Sequence, residues 1–114
     1  MDDEQTVPDA TGVSVDVLGI VDLASEVPGV GDYSLRTMRF TMAPGAVFGP
    51  LHDHRGRPGS VYVLEGVITD HRDGVATDYG PGPVWPEYSA TLHWLENRGK
   101  VPAVEISIDI VKRD

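Results

Sequence analysis

Residues 45–66 read Gly-Ala-Val-Phe-Gly-Pro-Leu-His-Asp-His-Arg-Gly-Arg-Pro-Gly-Ser-Val-Tyr-Val-Leu-Glu-Gly, and the fold is decided in this stretch. Two extended runs flank a turn at Arg55–Gly59. Before the turn, His52 and His54 stand at i and i+2, which in a strand puts both on one face and Asp53 on the other. Two imidazoles so placed can reach one metal ion at about 2.0–2.1 Å. After the turn, 60–70 reads as a strand interrupted at Gly66.

Upstream, 33–42 (YSLRTMRFTM) is a second strand. Met38, Phe40 and Met42 share one face, and Thr37, Arg39 and Thr41 the other. Pro44-Gly45 marks a turn after it. Residues 13–23 open with Val13, Val15 and Val17 in phase, and 24–32 form a loop. Downstream, Asp73-Gly74 closes a hairpin onto strand 75–79. Gly80–Pro83 is a sharp corner, 91–96 (TLHWLE) is a strand carrying His93, and Asn97–Gly99 is a turn. In 103–111 (AVEISIDIV) the alternation places Val104, Ile106, Ile108 and Ile110 toward the core and Glu105, Ser107 and Asp109 outward. No window carries a sustained 3.6-residue period. Short strands with turn signals every 8–12 residues predict an all-β sandwich or barrel.

With 114 residues, the chain fits one domain, 13–114, preceded by a flexible acidic N-terminal arm, 1–12. A net charge of −9 lacks the basic surface that nucleic acid or anionic membrane would require. The absence of cysteine excludes disulfides, thiolate zinc sites and a cysteine nucleophile. The acidic N-terminus does not read as a secretory signal and no run is long enough to span a bilayer, so a cytoplasmic protein is expected. No glycine-rich loop at a strand–helix junction suggests a nucleotide cofactor.

The landmarks of 45–97 carry a resemblance. Gly45, six residues, His52-x-His54, four residues, position 59, six residues and Gly66 nearly reproduce the first cupin motif, G-x5-H-x-H-x3,4-E-x6-G. Gly82, then Tyr88-x-Ala90-x2-His93-x3-Asn97, follows the second, G-x5-P-x-G-x2-H-x3-N. The chain resembles a small single-domain cupin, which implies a jelly-roll β-barrel of two antiparallel sheets and one divalent metal ion on His52, His54 and His93. The departures are specific. Gly59 stands where the family places its metal-binding Glu, and Tyr88 and Ala90 replace the Pro and Gly of the second motif. One extra residue precedes His52.

Three neutral imidazoles leave the full +2 charge on the metal. Such a site is electrophilic, favours an anionic ligand, and keeps coordination positions open as catalytic sites do. Imidazole suits Fe, Zn, Ni, Cu or Mn without choosing among them. Glu65, Glu87 and Tyr88 are the candidates to replace the missing Glu. By strand parity Gly59, Val61 and Val63 face the lumen. With Met38, Phe40 and Met42 they are candidates to line a small apolar pocket beside the metal. Trp94 adjoins His93 and faces away from the metal, Trp85 is a core or interface aromatic, Asn97 is a turn residue, and His71 is an exposed non-ligand. The resemblance implies either a dioxygenase-like enzyme or a Lewis-acid isomerase, lyase or cyclase, with a small, anionic organic substrate. The alternative is a non-catalytic ligand-binding or sensor module. Strand 13–21 is expected to cross to a partner in a homodimer, which would also cover its edge.

Overall fold

The computed structural model describes residues 9–113, so residues 1–8 of the expected arm lie outside the described residues. Eight strands and no helix occur among the described residues. They are β1 (Thr11–Asp22), β2 (Tyr33–Asp53), β3 (Gly59–Glu65), β4 (Ile68–Arg72), β5 (Val75–Tyr79), β6 (Val84–Glu87), β7 (Leu92–Glu96) and β8 (Ala103–Lys112). Thr11 and Gly12, expected at the end of the arm, belong to β1.

All pairings are antiparallel, and the strand order is β5-β4-β7-β2-β8-β3-β6, with β1 on β2. The 21-residue β2 organises the fold. Its first part, Tyr33 to Met42, lies between β1 and β8, and its last part, Val47 to Asp53, pairs with β7. The expected turn at Pro44-Gly45 is instead a bend inside one continuous strand, with Gly45 at φ 80°. The two expected sheets are thus two halves of one sheet, curled into a half-barrel and hinged on β2. The halves meet across the lumen, where the Arg72 guanidinium on β4 donates to the Pro86 carbonyl on β6 at 3.0 Å.

Met42, Ala46, Val61, Val63, Ile68, Trp85, Leu95 and Ala103 form a buried apolar cluster inside this curl. Asn97 fastens the turn after β7 to it. Its amide donates to the carbonyls of Met42 (3.0 Å) and Val101 (2.9 Å), and its side-chain oxygen accepts from the Gly99 N–H (2.9 Å). The Asp73-Gly74 hairpin forms as expected, both residues having positive φ. Strand β6, not foreseen, contains Pro86. It is tolerated because β6 is an edge of the sheet and needs no ladder donor there.

The face assignment of β8 is reversed relative to the sequence expectation. Glu105, Ser107 and Asp109 are buried in the lumen, whereas Ile108 is 40% exposed and Ile106 and Ile110 are only half-buried. Register carries this through the sheet: Glu105 pairs with Phe40 and Val63, Ser107 with Met38 and Val61, and Asp109 with Arg36 and Gly59. Asp109 is neutralised there by a bidentate bond from Arg36, at 2.7 and 3.0 Å. The lumen is partly polar, so alternation alone does not distinguish inside from outside.

Candidate metal centre

Three histidines converge in the lumen from β2 and β7. His52 and His93 are directly paired across those strands, and His54 follows two residues after His52. Their nearest nitrogens all lie within 4.8 Å of one another, with His54 and His93 buried and His52 half-buried. The ring centroids form a triangle with sides of 4.7, 5.0 and 5.2 Å. The structure thus brings together the three residues singled out from the sequence.

The outward-facing nitrogens decide what the inner ones can do. His93 Nδ1 donates to the Asp70 carboxylate at 2.8 Å, which leaves its Nε2 as a lone pair. His52 Nδ1 donates to the Pro50 carbonyl at 3.1 Å, with the same consequence. A carboxylate or carbonyl behind the imidazole is the arrangement that orients metal-binding histidines. The Nε2 atoms of His54 and His93 face each other at 2.9 Å. Ligands held about 2.1 Å from one ion stand roughly 3.0–3.4 Å apart, so this spacing is close to that of two ligands of one cation. Asp70 is itself held by Arg72, 2.6 Å away.

The electrostatics agree. Burial, reinforced by His93 and His52, lowers the His54 pKa to about 4, and burial also lowers that of His52. Both are therefore neutral at pH 7, the protonation state a metal requires. Around them lie three buried acids, Asp70, Glu87 and Glu105. Burial pushes Glu87 up, against the opposing pull of His93, the Trp85 hydrogen bond and Arg72. Glu105, 2% exposed and with Oε1 unpartnered among the described residues, is pushed up to about 8 by burial and then by Glu87 and Asp70. A lumen with this acid excess fits a bound divalent cation.

The remaining sequence candidates separate clearly. Met38, Phe40, Met42, Val61 and Val63 are all buried on the lumen side, in register with one another across β2, β8 and β3. Gly59, expected from strand parity to line a pocket beside the metal, leaves no open space there. A Cβ there would collide with the Ile108 carbonyl oxygen and stand 2.9 Å from Asp109 Cα, so β8 fills the place and glycine is demanded by its close approach. Glu65 is exposed at the far end of β3, and Tyr88 is 65% exposed. Glu87, by contrast, is buried, pairs with Gly59 across β3 and β6, and points its Oε2 at His54 Nε2 (3.3 Å) and His93 Nε2 (3.4 Å). Trp85 is core, and its indole N–H donates to Glu87 at 3.2 Å. Trp94 faces away from the site, as expected. His71 stacks on it at 3.8 Å and bonds Glu96, which makes His71 half-buried rather than exposed. Asp70, Arg72 and Glu105 were missed as site residues. Asp70 and Arg72 lie beside a hairpin that reads as surface, and Glu105 was assigned to the wrong face.

A family model described as "Cupin domain" (Cupin_2) matches residues 38–109. No curated protein matches the chain. Among solved structures, a predicted oxalate decarboxylase from Thermotoga maritima is 22% identical, with a TM-score of 0.70 over 92% of each chain. The polyketide cyclase RemF from Streptomyces resistomycificus is 19% identical, with a TM-score of 0.73 over 94% of this chain and 70% of that one. The Cupin_2 domain of an XRE family transcriptional regulator from Enterobacter cloacae is 17% identical, with a TM-score of 0.64 over 91% and 100%. At these identities the likeness is one of fold.

Proposed function

The chain belongs to the Cupin_2 family of cupin domains, and from that premise we propose that it is a divalent-metal enzyme acting as a Lewis acid on a small organic anion. The observation that carries this reading is the pair of facing Nε2 atoms, His54 and His93 at 2.9 Å, with His52 beside them and Asp70 behind His93. A bound metal would supply positive charge to polarise a carbonyl or stabilise an enolate-like charge. His52, His54 and His93 would hold it. Asp70 fixes the His93 tautomer, and Arg72 fixes Asp70. Glu105 places a further buried carboxyl in the same lumen. Met38, Phe40, Val61 and Val63 supply apolar wall that excludes water.

Among its structural neighbours, a polyketide cyclase and a predicted oxalate decarboxylase support small-molecule chemistry of this kind. The test is metal-dependent exchange of solvent deuterium into small enolisable carboxylates, followed by NMR, beside oxygen uptake with the iron-loaded protein. Exchange without oxygen uptake is expected. Oxygen consumption with small thiols or diketones would replace the Lewis-acid reading by a dioxygenase. Metal binding with neither activity would favour the second reading, a ligand-sensing module, supported by the regulator domain matched over its whole length.

We propose that the partner in solution is a second copy of this chain. Val84, Tyr62 and Ile106 pair across β6, β3 and β8, and Val21, Leu35 and Ile110 across β1, β2 and β8, giving an apolar exterior. Val21, Tyr62, Val84 and Ile108 are exposed on it. Contiguous exposed apolar side chains of this kind support an interface. Gel filtration at twice the chain mass is expected, and a monomer would refute the assignment.

A further inference from the structure

We infer that Glu87 is a fourth protein ligand of the metal, taking from the neighbouring strand the place that Gly59 has vacated. The inference rests on the metal-centre reading above and adds a residue to it.

Gly59 cannot carry the ligand. A side chain at this position meets the Ile108 carbonyl and the Asp109 backbone. Its direct cross-strand partner is Glu87 on β6, and paired residues of an antiparallel sheet project from the same face. Moving a carboxylate from position 59 to position 87 shifts its origin by one strand spacing, about 4.8 Å, and keeps its direction into the lumen. Glutamate is long enough to make up that distance. The observed side chain does so: Oε2 is 3.3 Å from His54 Nε2 and 3.4 Å from His93 Nε2, while those nitrogens are 2.9 Å apart. Three donor atoms at these separations form one face of a coordination polyhedron around an ion with ligand distances near 2.1 Å. The Trp85 indole N–H, 3.2 Å from the same oxygen, fixes the rotamer from behind. Neither β6 nor Pro86 reads as strand from the sequence, so Glu87 is visible there only as a loop residue, one of three candidates with Glu65 and Tyr88.

The consequence is electrostatic. A carboxylate ligand reduces the net charge of the centre from +2 to +1, so the centre is less electrophilic than three histidines alone would make it. It also leaves one fewer coordination position for substrate.

The experiment is titration of the full chain with Co(II), followed by visible absorption, for wild type, Glu87→Gln and His54→Ala. Glu87→Gln keeps the acceptor for Trp85 and removes the charge. Co(II) affinity is expected to fall at least about 10- to 100-fold in Glu87→Gln, with altered d–d bands, and to be lost in His54→Ala. Unchanged affinity and bands in Glu87→Gln, with binding lost in His54→Ala, would overturn the inference and leave the three-histidine centre standing. No Co(II) binding by wild type would overturn both. If Glu87→Gln does not fold, crystals of wild type with Zn(II) decide: a Glu87 oxygen within about 2.2 Å of the ion is expected, and one beyond about 3 Å overturns the inference.

Discussion

Replacing Glu105 by Gln removes a carboxyl group that the fold holds in the lumen at 2% exposure, between Phe40 and Val63. No cation pairs with it among the described residues, and its Oε1 has no hydrogen-bond partner there. Its pKa rises from 4.5 to about 8, first through burial and then through Glu87 and Asp70. A carboxyl whose folded pKa exceeds its unfolded one stabilises the fold most below the unfolded value, and that contribution is lost as pH rises toward the folded value. At pH 7 the unfolded chain has released this proton and the folded chain has kept it. At about 1.4 kcal/mol per unit, wild type loses ~3 kcal/mol through this one group between pH 4.5 and 7. Gln does not titrate. In urea unfolding with EDTA, the stability of Glu105→Gln relative to wild type is therefore expected to increase by ~3 kcal/mol over that range. Zinc should narrow the gap, because a nearby cation favours the ionised carboxylate. Parallel pH curves for the two proteins would refute the assignment of Glu105 to the lumen as a buried, unpaired acid.

Asp70→Asn is expected to lower metal affinity about 10- to 100-fold, read by calorimetric titration, because the His93 tautomer loses its carboxylate acceptor. An unchanged affinity would remove Asp70 from the site. Gly59→Ala should destabilise the protein by about 1–3 kcal/mol in thermal or urea unfolding, since its Cβ meets the β8 backbone. A neutral effect would mean that β3 and β8 can part, and would reopen position 59 to a ligand. Asn97→Ala removes three side-chain hydrogen bonds and is expected to cost about 3 kcal/mol without changing metal affinity, a combination that separates a turn residue from a catalytic one.

The legible part of the fold was the part written in local rules. The i, i+2 spacing of His52 and His54 places both on one strand face whatever surrounds them, and Asp73-Gly74 specifies its turn by backbone conformation alone. The cupin landmarks supplied His93, which no local rule connects to residue 52. Elements that depend on the third dimension were hidden. Pro44-Gly45 bends β2 without ending it, because that strand must serve both halves of the sheet. The alternation of 103–111 gave the right period and the wrong face. Isoleucines cover an outer surface, while Glu105, Ser107 and Asp109 meet charged partners or lumen inside. Glu87 lies on a four-residue edge strand whose proline disguises it, and only the pairing with Gly59 shows what it faces. Asp70 follows the same logic, since its role is set by a ring 23 residues away.

Equilibrium dialysis against Zn(II) tests the three-histidine centre most directly, with His52→Ala, His54→Ala, His93→Ala and His71→Ala measured beside wild type. One ion per chain is expected in wild type and in His71→Ala, whose imidazole bonds Glu96 and stacks on Trp94 away from the lumen. Each of the other three variants should bind at least about 10- to 100-fold more weakly. Zinc binding that survives in His54→Ala and His93→Ala, or fails in wild type, would contradict the assignment.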